Sequence, residues 1–457
     1  MIGGRLRWLE EVTGGRLEGA DGEFAGATTD TRRLTPGQAF FALRGPRFDA
    51  HDFLAEAGRL GAAVAVAEHG DPRTLPIVRV EDSLVALGQA AAAWRRRFDI
   101  PVAAVTGSAG KTTVKEMLAA IAGQAGPVLA TKGNLNNEIG LPLTLFRLSG
   151  EHRRAVLEMG ANHAGEIRRL TAIGAPDVGI VTMAGPAHLE GFGSLEGVAH
   201  AKGELFQGLA PGATAVINAD DVFAPLWHEF AGDRPILTFG TKDADVRCDE
   251  PVADGSGGQV VAMTGPFGSL QVTLRLPGRH NAINALAAAA AAHALGHDSG
   301  EIRRGLESVR PQPGRLQIRS GLGGSRLVDD TYNANPEAVR AAVDYLVSIE
   351  GRPFLALGDM GELGPGAAEM HAEVGRYARQ HGVLRLFAVG ELSRHAAEAF
   401  GEGASVYASP AELVAALAEA LDADVNLLVK GSRSMRMERV VEALETVRGA
   451  SGEDGSC

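Results

Sequence analysis

A chain of 457 residues is long enough for two to four domains at ~100–200 residues each, and its 45% hydrophobic and 22% charged content is that of an ordinary globular protein. A net charge of −12 argues against nucleic acid or an anionic membrane as the main partner, because both would repel it. The two cysteines, Cys248 and Cys457, offer neither a disulfide framework nor a metal-ligand spacing, which fits a reducing cytoplasm.

The start, MIGGRLRWLEEVTGG, has charges among its apolar residues and lacks the unbroken hydrophobic stretch of a signal peptide. Residues 1–99 read as a small mixed α/β domain. From Thr28 to Phe53 the chain runs TTDTRRLTPGQAFFALRGPRFDAHDF: a turn at Pro36–Gly37, a short strand AFFAL, then a polar loop rich in Arg, Asp and His. On composition the loop is a solvated surface loop before it is a ligand site. From Asp82 to Phe98 a helix closes the domain, capped by Asp82 or Ser83, with Leu84, Leu87, Ala91, Trp94 and Phe98 on one face.

The next stretch, PVAAVTGSAGKTT from Pro101 to Thr113, carries the strongest chemical signal. Small apolar residues from Val102 to Val105 suit a buried strand, Thr106 to Gly110 are too Gly-rich to continue it, and a helix is predicted from Lys111. Amides of Thr106, Gly107, Ser108, Ala109 and Gly110 in such a turn converge on a point that the helix N-terminus makes positive, so polyphosphate is the natural occupant. Lys111 is placed for the outer phosphates, and Thr112, followed by Thr113, for a phosphate-bound magnesium. Val105 stands where the usual phosphate-loop spacing has a glycine, so this loop is a shorter variant. The plainer alternative is a Gly-rich turn that binds nothing.

Residues 100–313 then alternate strand and helix as a parallel sheet requires, with strands near Val128, at AVLEMG from Ala155, at VGIVTM from Val178 and at TAVINADD from Thr214. From Val246 to Leu276 strand-like alternation with Gly-rich turns predicts an antiparallel extension. AINALAAAAAAHALG from Ala282 is broken by polar residues and reads as a packed helix, with no membrane insertion. SVRPQPGR, from Ser308 to Arg315, is the candidate hinge. Beyond it, residues 314–450 form a third, nucleotide-fold-like domain with strands near RLVDD, PFLALGDM, RLFAVG and NLLVKG; 451–457 read as a disordered tail.

Several chemistry-bearing residues fall at strand ends of the phosphate-loop sheet, where open parallel sheets bind ligands. Glu158 ends AVLEMG, a position from which it can join Thr112 on magnesium. His188 follows the next strand, and Lys202 stands in AHAKGELF at the start of a helix. Taken singly, a surface histidine and a helix lysine are bland.

TGSAGKTT, TKGNLNNEIGLPLTL, LEMGANHAGEI, AHLEGFGSLEGVAHAKGE, LPGRHNAINALAA, DDTYNANP and LVKGSRSMRME together resemble the Mur ligases, over nearly the whole chain. Within the family they look most like the members that join D-alanyl-D-alanine to UDP-N-acetylmuramoyl-tripeptide; a sister ligase adding a single amino acid is the alternative. The resemblance implies an α/β protein of three domains: a UDP-binding domain, a central P-loop ATPase domain and a C-terminal Rossmann-like domain. It implies ATP-driven amide formation through an acyl phosphate in the cytoplasm, with two magnesium ions; a monomer is expected, though the sequence itself is silent on oligomeric state. By similarity Thr112, Glu158, His188 and a carbamylated Lys202 hold the metals, and Lys111 the phosphates. Asn281 and Asn284 match adenine-side asparagines, Arg315 a phosphate contact and Asp330 a ribose contact, with Tyr332 and Asn333 beside them. Substrate contacts carried over are Thr31, Arg32, Arg44, Gly45, Asp49 and His51 in the UDP-binding domain, Asn134, Asn136 and Asn137 on a muramoyl-side loop, and Asn335, Lys430, Ser432 and Arg433 in the third domain. The asparagines have a plainer reading as helix caps and turn formers.

Overall fold

The computed structural model describes residues 1–45, 48–186, 189–254 and 257–446. The expected tail 451–457 and His188 lie outside them.

Three sheets organise the chain, each with helices against it. The first has five strands in the order Arg16–Glu18, Ile77–Arg79, Val64–Ala67, Ala39–Phe41, Ala27–Thr28, parallel except for the first pair. Helix Ser83–Arg95 follows, capped by Asp82, whose side chain accepts from the Leu84 and Val85 amides. Leu87, Ala91 and Trp94 are buried as the pattern predicts, but Leu84 is an exposed apolar residue: in the first turn it lies beyond the reach of the neighbouring helices. This first unit buries a small core of its own on one face of its sheet, around Phe40, Leu54, Ala65 and Ile77, and shares the core on the other face with the central unit. Leu6, Leu9, Val64 and Trp94 join one cluster with Leu141, Leu145 and Phe146 of the central unit, so the helix is wedged between two sheets.

The central sheet is built on β1 (Val102–Thr106), followed by helix α1 (Lys111–Ala122), β2 (Val128–Ala130), β3 (Arg154–Glu158), β4 (Val178–Val181), helix α2 (Leu195–Gly208), β5 (Thr214–Asn218), β6 (Ile236–Gly240) and helix α3 (Arg279–Ala294). Its parallel part runs Val246–Cys248, β6, β5, β4, β1, β3, β2. All five residues of β1 are buried, because a parallel strand in mid-sheet is covered on both faces and only small apolar side chains fit. The antiparallel extension begins later than the alternation predicts: Val246–Cys248 still pairs parallel with β6, and the reversal comes with Gln259–Gly265 and its hairpin partner Gly268–Leu274. Strand β6 itself is short on alternation, which hid it in the sequence.

The third sheet has the order Gln317–Ser320, β7 (Arg326–Asp330), β9 (Val425–Lys430), β8 (Arg352–Gly358), Arg385–Val389, Ala404–Tyr407, parallel except for its first pair, with a separate apolar cluster on each face. Helix α4 (Pro336–Ser348) leaves the end of β7. The hinge is anchored to the same place: Tyr332 N–H donates to Gly314 O at 3.0 Å and Leu316 N–H to Asp330 Oδ1 at 3.2 Å. Among the described residues no helix is long and apolar enough to cross a membrane.

Candidate active site

Two glycines make the β1-to-α1 turn possible. Gly107 has φ 144°, and a Cβ there would lie 1.9 Å from Thr182 Oγ1. Gly110, at φ 81°, is the N-cap of α1 and brings no side chain, so the first-turn amides carry no side-chain cap. Ser108 through Thr113 line a cavity of ≈ 820 Å³ closed on the far side by the hinge, the end of β7 and the start of α4. Ser108 departs from its expected role. Its N–H donates to Met183 O, and its hydroxyl accepts from Gly185 N–H and donates to Gly185 O, each at 2.9 Å, so its polar groups stitch the loop to the exit of β4. Thr106, fully buried at the end of β1, and Gly107 lie beneath the loop and do not line the cavity.

Lys111 folds back over the loop, its Nζ 2.6 Å from Gly107 O. Burial pushes its pKa down; Glu158 opposes this and Arg315 adds to it. Arg315, from beyond the hinge, donates to the Thr112 hydroxyl at 3.0 Å, and its guanidinium lies 4.2 Å from the centre of the Tyr332 ring. A third-domain cation thus rests on the phosphate loop.

Glu158 is 3% exposed. Its Oε1 accepts from Asn136 Nδ2 at 2.8 Å, while Oε2 is buried with no hydrogen-bond partner. A bare interior carboxylate oxygen calls for a cation, and the Thr112 hydroxyl lining the same cavity is a hard oxygen of the kind magnesium prefers. Asn136 thus lines the cavity and holds this carboxylate at the same time. Asn137 accepts from the Ile139 and Gly140 amides as a turn residue, and exposed Asn134 lines the cavity.

Lys202 sits in the middle of α2, contrary to the expected helix start, and at 1% exposure it cannot be a solvent-facing partner of Glu204. Glu204 instead accepts from the Gly165 and Arg168 amides. The Lys202 ammonium donates to Ala161 O at 3.3 Å and lies 4.9 Å from the centre of the Phe192 ring. Burial first, and the charge of Lys111 second, bring its pKa down to about 7 against the pull of Glu166 and Glu204. It stands behind Ala161, which lines the cavity.

Asn281 and Asn284 line the cavity together. Asn281 also does the plainer job, donating to Pro277 O at 2.6 Å, and the Asn284 amide reaches Asn281 Oδ1 at 3.3 Å. Asp330, Tyr332, Asn333, Asn335 and Lys430 form the opposite wall. Lys430 is 2% exposed and gives its ammonium to the Asp330 carboxylate and, at 2.9 Å, to Asn333 O, so it fixes that wall. Asn335 caps α4 by accepting from Ala338 N–H. Ser432 and Arg433 do not line the cavity: buried Ser432 meets Ser434, and Arg433 pairs with Glu438 at 3.2 Å.

The first-domain candidates do not line this cavity and make two local sets of contacts. Exposed Arg32 pairs with Asp30 beside Thr31, and Arg44, just before Gly45, donates to Asp49 at 3.0 Å. The buried His51 ring uses both nitrogens, Nδ1 toward Asp49 and Nε2 accepting from Glu68 N–H at 3.0 Å, so it shapes the loop. Among the cavity residues that escaped the sequence reading are Asp221 and Glu337. Burial raises the pKa of both, Glu337 to about 7 with Asp221 adding to the effect. TAVINADD had already put Asp221 just past a strand end, the signal used for Glu158; Glu337 directly follows DDTYNANP.

A phosphate loop facing a hinge-linked second α/β unit across one cavity defines a multidomain P-loop protein. Residues 105–292 match the Mur ligase middle domain, and 314–433 the Mur ligase, glutamate ligase domain. The chain belongs to the Mur ligase family. It is 42% identical over 462 residues, covering 100% of both chains, to the UDP-N-acetylmuramoyl-tripeptide--D-alanyl-D-alanine ligase of Escherichia coli (strain K12). Among solved structures it is similar to MurF from Acinetobacter baumannii, with TM-score 0.91 and 35% identity over 95% of this chain and 97% of that one. It is also similar to the MurF ligase from Thermotoga maritima in complex with ADP, with TM-score 0.81 and 30% identity over 92% and 96%.

Proposed function

We propose that the protein joins D-alanyl-D-alanine to UDP-N-acetylmuramoyl-tripeptide, driven by cleavage of ATP to ADP and phosphate, in the cytoplasm. The observation that carries an ATP-driven ligase is the single cavity in which the phosphate loop, a bare buried carboxylate oxygen and third-domain groups meet. The choice of substrates rests on the relatives' activity.

A carboxylate is a poor electrophile. The tripeptide's terminal carboxylate attacks the γ-phosphorus of ATP, the bond to the β-phosphate oxygen breaks, and an acyl phosphate and ADP result. The dipeptide amine, having lost its extra proton, then attacks the acyl carbon; the C–O bond breaks and phosphate leaves. Such transfer needs positioning and charge neutralisation more than covalent help. Lys111 and the amides from Ala109 to Thr113 hold the phosphates. Thr112 and Glu158 Oε2 would hold magnesium, with His188 and a second ion completing the set; bound there, it would neutralise the phosphoryl oxygens. Asn136 keeps Glu158 turned so that Oε2 stays free. Lys202, with a pKa near neutrality, is in part a free amine at working pH and can add carbon dioxide, losing one proton to give an anionic carbamate.

The test is ADP release with UDP-muramoyl-tripeptide, comparing D-alanyl-D-alanine with lysine, diaminopimelate and glutamate. Turnover should require both the tripeptide and the dipeptide. Equal or faster turnover with a single amino acid overturns the assignment.

A further inference from the structure

Glu337 enters the cleft from the first turn of α4 and meets the central unit at Gly185. A Cβ built on Gly185 would lie 2.1 Å from Glu337 Oε2, and that oxygen is buried without a hydrogen-bond partner. The segment it presses on is tied down. Gly185 N–H and C=O both bond to Ser108 Oγ, Met183 O receives the Ser108 amide, and Ala184 N–H donates to Asp221 Oδ2 at 2.8 Å. Three hydrogen bonds thus join this segment to the phosphate loop, and a third-domain carboxyl sits on top of it.

We propose that Glu337 is a positioning residue: through Gly185 and Ser108 it couples the seating of the third domain to the shape of the phosphate loop, and so to nucleotide affinity. Two charged groups face it. Asp221, beyond the end of β5, is of like charge; Arg340, one turn along α4, opposes with a guanidinium that also reaches Glu373 at 3.1 Å. Burial and Asp221 together favour the neutral carboxyl, with a pKa of about 7 in place of 4.5. The raised value fixes the sign: seating is strongest at low pH, weakens as pH rises toward 7, and has lost this contribution above it.

The inference rests on nucleotide binding at the loop, so ADP with magnesium is the probe, measured calorimetrically on the full chain at pH 6 and pH 8. Glu337→Ala should weaken ADP binding at pH 6 by about fivefold or more. Between the two pH values the wild type should lose about threefold or more in affinity relative to the isosteric Glu337→Gln, which cannot ionise. Ser108→Ala combined with Glu337→Ala should bind no worse than the weaker single variant, because both break one line of contact. A wild type and Glu337→Gln that change in parallel with pH, or losses that multiply in the double variant, overturn the coupling while leaving the ligase reading intact. A wild type that binds no ADP overturns both.

Discussion

Replacing Lys202 by methionine should stabilise the protein while abolishing turnover. The amine is 1% exposed, and burial with the nearby Lys111 charge takes its pKa from 10.5 to about 7. That shift of roughly 3.5 units, at ~1.4 kcal/mol each, sets an upper bound of ~5 kcal/mol on what the buried ammonium costs the fold. Methionine keeps the apolar stem beside Phe192 and removes the charge. The pH dependence has a definite sign. A lysine whose folded pKa is depressed is protonated in both states below pH 7, so there the penalty is constant. Between pH 7 and 10.5 the unfolded chain holds a proton that the folded one lacks, and wild-type stability rises by up to ~1.4 kcal/mol per pH unit. The advantage of Lys202→Met should therefore be largest at pH 6.5 and shrink by ~2–3 kcal/mol on going from pH 7 to 9. Urea unfolding in carbon-dioxide-free buffer measures this, followed by the fluorescence of Trp227, whose indole donates to Ala199 O within α2. Adding bicarbonate should then stabilise only the wild type. A stability gap that does not vary with pH, or a variant less stable than wild type at pH 6.5, would refute the reasoning.

Lys111→Ala should lower turnover at least ~100-fold, the loss of about 2.7 kcal/mol of transition-state contact; near-normal turnover of a folded variant removes Lys111 from the mechanism. Gly107→Ala forces a Cβ to within 1.9 Å of Thr182 Oγ1 at φ 144°, so ADP binding should vanish and the melting temperature should fall, by an amount worth ~1–3 kcal/mol; unchanged calorimetric affinity would contradict this. Glu158→Gln should raise the magnesium concentration needed for half-maximal turnover at least ~10-fold, since it removes the bare anionic oxygen, and an unaltered magnesium titration would exclude Glu158 as a ligand. Solution scattering should show compaction when an ATP analogue and UDP-tripeptide bind together; an unchanged radius of gyration at saturation counts against domain closure.

The phosphate loop was legible because every local signal agreed: small apolar strand, positive-φ glycines, helix start at Lys111. Glu158 was legible for the same reason, as an acid at a strand end. The burial of Lys202 and its place in mid-helix were not legible, because a lysine inside a polar-looking helix gives no periodic sign that α2 turns that face into the core. The asparagines were legible in part, as residues of the cavity wall but not in their local partners. Asn136 and Asn137 are three-dimensional choices between a substrate, a carboxylate and the local backbone, and only the fold shows that Glu158 Oε1 and the Gly140 amide take them. Gly185 gave no signal at all, since its role arises from Ser108 on one side and Glu337 on the other, 77 residues back from Gly185 in the first case.

The bond between Arg315 and Thr112 links these parts. The Thr112 hydroxyl is the group expected to meet magnesium, and a guanidinium 3.0 Å from it would repel a dication placed there. Both can remain only if phosphate oxygens lie between them, taking charge from each side. Nucleotide binding must therefore move Arg315 off the hydroxyl. Its neighbour Leu316 is held at φ 50° with its N–H on Asp330, whose carboxylate is locked to Lys430 at the end of β9. A displacement of Arg315 is thus passed along a strained, pinned backbone directly into the third sheet. Magnesium and nucleotide arriving at the loop would in this way set the position of the third domain over the phosphate loop.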